Sequence, residues 1–152
     1  MFYRRKVILS LLQLFDGQLE KIRLQKLLFL FTKQQEKAEY DFVPYKFGCY
    51  SYSANADLTT MASKGMLLED TKTFTKIDPT NYLPTLKETD RKLIQQIKLL
   101  YGKMDTKTLT KHTYVNFPYW ATKSEIAGKI LNQDELNKII NKIITQFKNY
   151  LY

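Results

Sequence analysis

Cys49 and His112 are the side chains of this sequence best suited to nucleophilic catalysis. A catalytic cysteine needs a base that produces its thiolate and a third group that orients the base. The two residues lie far apart in the sequence, and no signature of a known nucleophile surrounds either of them. We therefore expect Cys49 to be a buried thiol and His112 to be a packed or hydrogen-bonded polar residue.

Metal and phosphate sites have equally little support. With one histidine and one cysteine, a zinc site would have to rest on carboxylates, which is rare. The five glycines are too scattered to form a phosphate-binding loop. The sequence predicts no catalytic residue, no cofactor and no metal, and hence a protein that is not an enzyme.

Lysine dominates the charged residues. The formal net charge is +9, with 24 Lys and Arg against 15 Asp and Glu, and such an excess favours polyanionic partners. Only four of the basic residues are arginine. Since lysine suits phosphate neutralisation and arginine is the usual reader of guanine, we expect any bound nucleic acid to be contacted mainly through phosphates. The coding bias of an AT-rich genome would produce the same excess, and that alternative stays open.

The composition predicts a folded protein with no membrane partner. Its 152 residues are 44% hydrophobic and 14% aromatic, which is enough to bury an ordinary core. The longest apolar run, 27–31, is far shorter than the roughly 18 residues of a membrane span. The basic and apolar N-terminus has helical spacing, so we interpret it as the first helix and not as a leader. A single cysteine allows no intramolecular disulfide, which favours a cytoplasmic location.

Helical periodicity and glycine positions predict three helices followed by a β-hairpin. Gly17 and Gly65 mark helix ends, because glycine tolerates positive φ. Ser51 or Ser53 is a suitable N-cap for the third helix. The helices are expected at residues 4–15, about 20–34 and from Ser51 or Ser53 to about 64. The hairpin is expected at 66–77, and a short strand or extended segment at 41–45.

This order of elements is typical of a winged helix–turn–helix domain. We predict a mainly α fold with a small β-hairpin, in which a winged-helix-like domain at 1–78 carries a helical C-terminal extension at 79–152 packed on it.

The extension is predicted to be helical because apolar residues recur at helical spacing. Thr89 or Asp90 is expected to cap its first helix, and Asp105 its second. A last helix is expected to start near Asp134. Six apolar side chains are expected on its buried face: Leu136, Ile139, Ile140, Ile143, Ile144 and Phe147.

The third helix and the hairpin carry most of the candidate binding residues. In a helix–turn–helix domain the N-terminal residues of the recognition helix enter the major groove, while other contacts to phosphate position the protein. Asp57 on the same helix would repel phosphate, and we expect it to serve a local hydrogen bond. The candidates are Lys46, Tyr50, Ser51, Ser53 and Asn55 around the third helix, with Lys72 and Lys76 on the hairpin.

A second candidate surface lies at residues 106–124, which contain no acid. Lysines mixed with aromatics can stack bases beside a groove that follows the phosphates, and Lys111 and Trp120 are the candidates here. Aromatics around a proline more often form a packed corner that joins two domains, and we favour that interpretation. Whether Trp120 is core or surface stays open at this point.

Several spaced blocks resemble a bacterial pattern. The blocks I22-R-L-Q-K-L-L-F-L-F31, Y45-K-F-G-C-Y-S51 and D57-L with G65-M-L67 are similar to those of Panacea-type antitoxin and SocA-like proteins. The same blocks resemble more closely a winged-helix module of uncharacterised bacterial proteins, and the segment 109–126 is also similar to part of that module. Proteins with this module often continue into a domain beginning "LYTIGY". The ending K148-N-Y-L-Y152 looks like the start of such a domain.

The resemblance implies an interaction module in a regulatory or defence-linked system. Our leading expectation is a DNA-binding winged-helix module. The alternative is an antitoxin or adaptor that binds a partner protein or toxin, and a homodimer is also considered.

Overall fold

The computed structural model describes residues 1–151, with the backbone alone for 150 and 151. The described chain is mainly helical with two small antiparallel sheets, as the sequence predicts. Its helices are α1 Tyr3–Leu14, α2 Lys21–Gln34, α3 Tyr52–Ser63, α4 Glu88–Tyr101, α5 Thr106–Asn116, α6 Ala127–Ile130 and α7 Gln133–Leu151. Its strands are β1 Gln18–Glu20, β2 Val43–Tyr45, β3 Gly48–Tyr50, β4 Leu67–Glu69 and β5 Thr73–Lys76, and short 3-10 helices lie at Leu83–Thr85 and Pro118–Ala121.

The larger sheet has the order β1-β5-β4, and all of its pairs are antiparallel. The hairpin of β4 and β5 is confirmed, whereas β1 was not predicted. Asp16 and Gly17 both adopt positive φ, 63° and 83°, and turn the chain from α1 into β1. Leu19 of β1 lies opposite Phe74 of β5, and both side chains are buried. A three-residue strand with one inward side chain is too short to show an alternating pattern in the sequence.

The segment between α2 and α3 forms a second hairpin. Residues 41–45 were expected to form a short strand or an extended segment, and the strand is confirmed as β2. Its partner β3, with Gly48 opposite Tyr45, was not predicted. Gly48 directly follows the two turn residues and has a φ of 94°, which glycine adopts without strain. This hairpin packs on α2 and brings Tyr45, Phe47 and Tyr50 close to the start of α3.

The central position of α2 is confirmed, since every residue from Leu24 to Thr32 is buried. Its apolar side chains belong to a core that also contains Ile94 and Ile97 of α4 and Leu109 of α5. The N-terminal and C-terminal parts of the chain thus share buried apolar surface. The predicted division at residue 78 stays a prediction.

The expected cap of α4 is wrong, while that of α5 is confirmed. α4 begins at Glu88, and Lys87 precedes it without a side-chain cap. Asp90 instead accepts hydrogen bonds from Tyr3 Oη at 2.7 Å and from Gln35 Nε2 at 3.2 Å, so it joins α1 and the end of α2 to α4. Asp105 caps α5 by accepting a hydrogen bond from the Thr108 amide at 2.8 Å.

The expectation that α7 buries all six apolar side chains is wrong. Ile139 is buried, and Leu136 and Ile143 are partly buried against the α5 region. Ile140, Ile144 and Phe147 remain 50%, 47% and 63% exposed. The apolar stripe of α7 is wider than the surface that covers it, so one edge of the stripe faces solvent. No helix within residues 1–151 combines the length and apolarity needed to cross a lipid bilayer.

Candidate functional site

The first turn of α3 is held rigidly by buried polar contacts. The Ser51 hydroxyl accepts a hydrogen bond from the Ala54 amide at 3.1 Å, which confirms Ser51 as the N-cap. Gln25 of α2 accepts from the Ser51 amide at 2.9 Å and donates to the Ser51 carbonyl at 3.2 Å. The Ser53 hydroxyl lies 3.2 Å from that of Ser51 and is half-buried. Ser51 is fully buried, so it positions α3 and offers no exposed group to a partner.

The outer face of α3 carries uncharged side chains, most of them small, with the aromatic Tyr52 at its N-terminal end. Tyr52, Ala56, Thr59 and Ser63 are exposed, and Asn55 is half-buried beside them. These residues recur at helical spacing and form one continuous face. Because most of its side chains are short, this face of α3 allows the surface of a binding partner to approach the helix closely.

Asp57 points away from that face and is buried among groups from other elements. Its carboxylate accepts hydrogen bonds from Arg5 Nε at 2.9 Å and from Tyr40 Oη at 2.8 Å. Arg4 Nε lies 2.7 Å from Oδ2 in ionic contact, and its Nη2 donates to Oδ1 at 3.4 Å. The expectation of a local hydrogen bond is therefore wrong. Two arginines balance the negative charge, so Asp57 leaves no unpaired charge on α3 to repel phosphate.

A cleft of about 450 Å³ lies between the start of α2, the first turns of α3, the β2–β3 hairpin and the β4–β5 turn. Three of the predicted binding residues, Tyr50, Asn55 and Lys72, line it. The Tyr45 and Tyr50 ring centroids are 4.9 Å apart, and Tyr52 packs edge-on at 5.0 Å from Tyr50. The fold thus places the tyrosines of the β2–β3 hairpin and Lys72 of the β4–β5 turn along the same cleft.

Lys26 of α2 also lines this cleft, and the sequence reasoning did not select it. It is 1% exposed, and its ammonium donates to the carbonyls of Phe47 at 2.5 Å and Cys49 at 3.1 Å. Burial lowers the pKa of Lys26. The sequence did contain a signal for Lys26, namely a lysine inside an otherwise apolar stretch of helix. Buried lysines are rare unless they are paired, so such a position indicates a lysine with a specific role.

Cys49 is a buried thiol, and His112 is a half-buried side chain packed beside Tyr101. Burial raises the pKa of the Cys49 thiol to about 11, although Lys26 acts in the opposite direction, so the thiol is protonated at neutral pH. Burial lowers the pKa of His112, whose ring lies 5.2 Å from that of Tyr101. Within residues 1–151, no three His, Cys, Asp or Glu side chains come together in a way that could hold a metal ion.

Two further predicted lysines, Lys46 and Lys76, are not among the residues that line the cleft. Lys46 is exposed at the tip of the β2–β3 hairpin, and its carbonyl accepts from the Glu125 amide at 2.8 Å. Lys76 lies on β5, and its ammonium donates to the Asp78 carbonyl. Lys46 is therefore the freer of the two cations.

Lys111 and Trp120 lie outside the cleft. Lys111 forms an ion pair of 2.9 Å with Glu135 of α7. Trp120 is half-buried, with its ring centroid 5.0 Å from that of Phe29, and its indole donates to the Phe42 carbonyl at 3.3 Å. Lys33 lies 3.8 Å from the Trp120 ring centroid. These contacts describe a packed corner that joins the segment at 118–121 to α2.

The fold and the cleft define a mainly helical protein with an aromatic and cationic groove beside α3. No protein-family model matches this chain, and no curated protein shows significant similarity to it.

Proposed function

We propose that this chain is a non-enzymatic winged-helix module that binds duplex DNA. The order α1-β1-α2-α3-β4-β5, with the sheet order β1-β5-β4, supports a winged-helix interpretation. The hairpin at 43–50 between α2 and α3 is an addition to that plan. The observation that carries the proposal is the uncharged outer face of α3, which lies beside the β4–β5 turn. In a winged-helix domain one helix enters the DNA major groove while the wing contacts the DNA backbone, and these two elements suit those two roles.

The face of α3 suits the DNA major groove. That groove is about 12 Å wide and admits an α-helix, and asparagine can pair with adenine edges there. Asn55 and Tyr52 lie in the first turns of α3, where a recognition helix makes its base contacts. With no exposed carboxylate on α3, nothing on this face opposes the phosphates.

The β4–β5 turn places a lysine for phosphate contact. The Asp70 carboxylate accepts hydrogen bonds from the amides of Lys72 at 2.9 Å and Thr73 at 2.7 Å, which holds the turn in one conformation. The Lys72 side chain is exposed at this turn, and Lys46 is exposed at the tip of the other hairpin. We assign both lysines to phosphate contacts, which add affinity but no sequence preference.

A salt titration tests this function. Fluorescence anisotropy with a random duplex should show affinity that falls steeply between about 50 and 200 mM salt, because bound phosphates release counterions. Lys46→Ala and Lys72→Ala should each weaken binding and reduce the salt slope by about 1. Lys148→Ala is the control, since this exposed lysine lies on α7. No binding at 50 mM salt would overturn the proposal.

The second candidate function is a protein-binding adaptor or antitoxin. The exposed edge of α7 favours it, because Ile140, Ile144 and Phe147 lie on one face at helical spacing. A second copy is the simplest partner. Asp134 and Lys148 flank this edge at opposite ends of α7, so an antiparallel pair would bring opposite charges together.

Light scattering over a range of protein concentrations tests this pairing. A concentration-dependent dimer that Ile144→Asp abolishes would show that this edge of α7 is a protein-binding surface with a second copy as its partner. Thr145→Asp is the control, because Thr145 lies on the polar side of the same helix. A monomer at every concentration would rule out self-association through α7.

A further inference from the structure

We propose that the cleft between α3 and the two hairpins binds a nucleotide, with the base against the aromatic wall and the phosphate beside the lysines. The cleft of about 450 Å³ falls within the usual size range of small-molecule sites, about 300–1,000 Å³. This inference goes beyond duplex binding, and it does not depend on it, because a mononucleotide can be tested without any duplex.

The aromatic wall supplies the surface for the base. Phe47, at the turn of the β2–β3 hairpin, is 40% exposed although its side chain is wholly apolar. Tyr45 and Tyr50 line the same side of the cleft, with their ring planes inclined by 33° to each other. A planar base covers such a wall well, because every nucleobase has a π face that stacks on aromatic rings.

The charges of the cleft favour an anion. Lys21, Lys26 and Lys72 line it, and Glu20 is the one carboxylate among the described lining residues. Lys21 is already paired with Glu69 at 2.6 Å, whereas no carboxylate in residues 1–151 lies within ion-pair distance of Lys26.

Lys26 is the most informative of these cations. Two carbonyls accept from its ammonium, which has three N–H donors, so one donor remains for a ligand. A buried cation is costly without a compensating anion. A phosphate that enters the cleft would supply that anion, and the exposed Lys72 would contact it from the rim.

The N-terminus of α2 also lies at the cleft, where Glu20, the residue before the helix, places a carboxylate. The Lys21 amide already donates to the Lys72 carbonyl at 2.7 Å. The preference of the cleft for an anion therefore rests on its lysines and not on the helix end.

The nucleotide could come from two sources with the same chemistry. One is a free mononucleotide, and the other is an unpaired nucleotide of a single strand. Asn55 and Lys72 belong both to this cleft and to the proposed duplex interface. A free nucleotide in the cleft would therefore compete with duplex DNA.

Calorimetry with AMP at low salt tests the proposal. We expect one site per chain with a dissociation constant on the order of 10–100 µM. Adenosine should bind at least about tenfold more weakly, because it lacks the phosphate that the lysines would contact. A 5′-phosphorylated (dA)4 that binds more tightly than AMP would assign the strand as the source, and equal or weaker binding would assign the free nucleotide.

Two variants and a control identify the site. Phe47→Ala should weaken AMP binding by about tenfold or more, and it keeps the Phe47 carbonyl that accepts from Lys26. Phe147→Ala, which removes another exposed aromatic side chain far along the chain on α7, should leave AMP binding unchanged.

Lys26→Met, which keeps most of the length of the side chain without its charge, should weaken AMP binding more than adenosine binding, with circular dichroism as the check of folding. The proposal is overturned if AMP shows no saturable binding up to about 1 mM, if adenosine binds as tightly as AMP, or if Phe47→Ala binds AMP like the unmodified chain.

Discussion

Asp57 in α3 accepts a hydrogen bond of 2.9 Å from Arg5 in α1, although 52 positions separate them in the sequence. Arg4 and Tyr40 converge on the same carboxylate. The cluster joins α1, α3 and the segment that follows α2, so the orientation of α3 depends on a buried charge network. The face that we propose for DNA is therefore set partly by residues that would never touch DNA.

The first prediction concerns the contribution of this network to stability. Asp57→Asn should lower the free energy of unfolding by about 3 kcal/mol, because it leaves partly buried guanidinium groups without their carboxylate. Urea unfolding measures the change. Glu36→Gln is the matched control, since Glu36 is exposed, and it should have no measurable effect. Equal stability of the two variants would show that the network contributes little.

The second prediction is an acid-sensitive stability. Burial tends to raise the pKa of Asp57, but hydrogen bonds from Tyr40, Arg5 and Arg4 outweigh it and hold this pKa below its usual value. The unfolded chain, with a pKa of about 3.9 for aspartate, then binds more protons than the folded chain at acidic pH. The contribution of Asp57 is present above the unfolded pKa and is lost as the pH falls through the folded one. Unfolding curves from pH 6 down to pH 2 should show this loss, and Asp57→Asn should flatten it.

The third prediction compares two glycines with positive φ. A Cβ on Gly48 would lie 2.4 Å from Tyr114 Cε1, whereas one on Gly65, with a φ of 75°, would meet nothing within 4 Å. Gly48→Ala should cost about 3 kcal/mol through strain and overpacking, and Gly65→Ala about 1 kcal/mol through strain alone. Thermal unfolding distinguishes them. Similar melting temperatures would show that Tyr114 yields easily to the added methyl group.

The fourth prediction decides the role of Trp120. Trp120→Ala should destabilise the protein by about 3 kcal/mol, because it opens the corner against Phe29 and removes the hydrogen bond to Phe42. Tyr119→Ala should have a small effect, since its side chain is 56% exposed. Chemical unfolding followed by circular dichroism measures both. A fully stable Trp120→Ala variant that loses a partner would instead make Trp120 a contact residue.

The fifth prediction separates the two edges of the α7 stripe. Ile139→Asp should destabilise the chain by several kcal/mol, because it places a charge at a buried position. Ile144→Asp should leave the stability of a monomer nearly unchanged, since Ile144 is 47% exposed. Unfolding at low protein concentration tests the comparison. A large loss from Ile144→Asp there would place this edge in the core of the single chain.

The elements that the sequence predicted well are those with strong local signals. α2 has a long apolar period, Gly17 and Gly65 adopt positive φ at helix ends, and Ser51 and Asp105 cap their helices. The glycine and cap signals act within about one turn of the chain, and the apolar period of α2 lies within one helix. Short strands lack such a signal, which is why β1 and β3 were missed.

The candidate site was only partly visible in the sequence. Tyr50, Asn55 and Lys72 were selected and do line one cleft, whereas Lys26 was missed. Ser51 was selected as a binding residue but is buried as a cap. The exposure of a side chain depends on which other segments of the chain pack against it, so the residue type alone does not determine it.

The sequence by itself determined the mainly helical class, the central position of α2, the β4–β5 hairpin and the high positive charge, because these follow from local periodicity, turn residues and composition. Only the tertiary structure decided that Arg4 and Arg5 neutralise Asp57 and that α7 leaves part of its apolar stripe exposed. It also decided that Lys26 lines the same cleft as the aromatic side chains of the β2–β3 hairpin. The physical reason is that these features are contacts between distant segments, whose energy depends on burial and geometry that no short stretch of sequence contains.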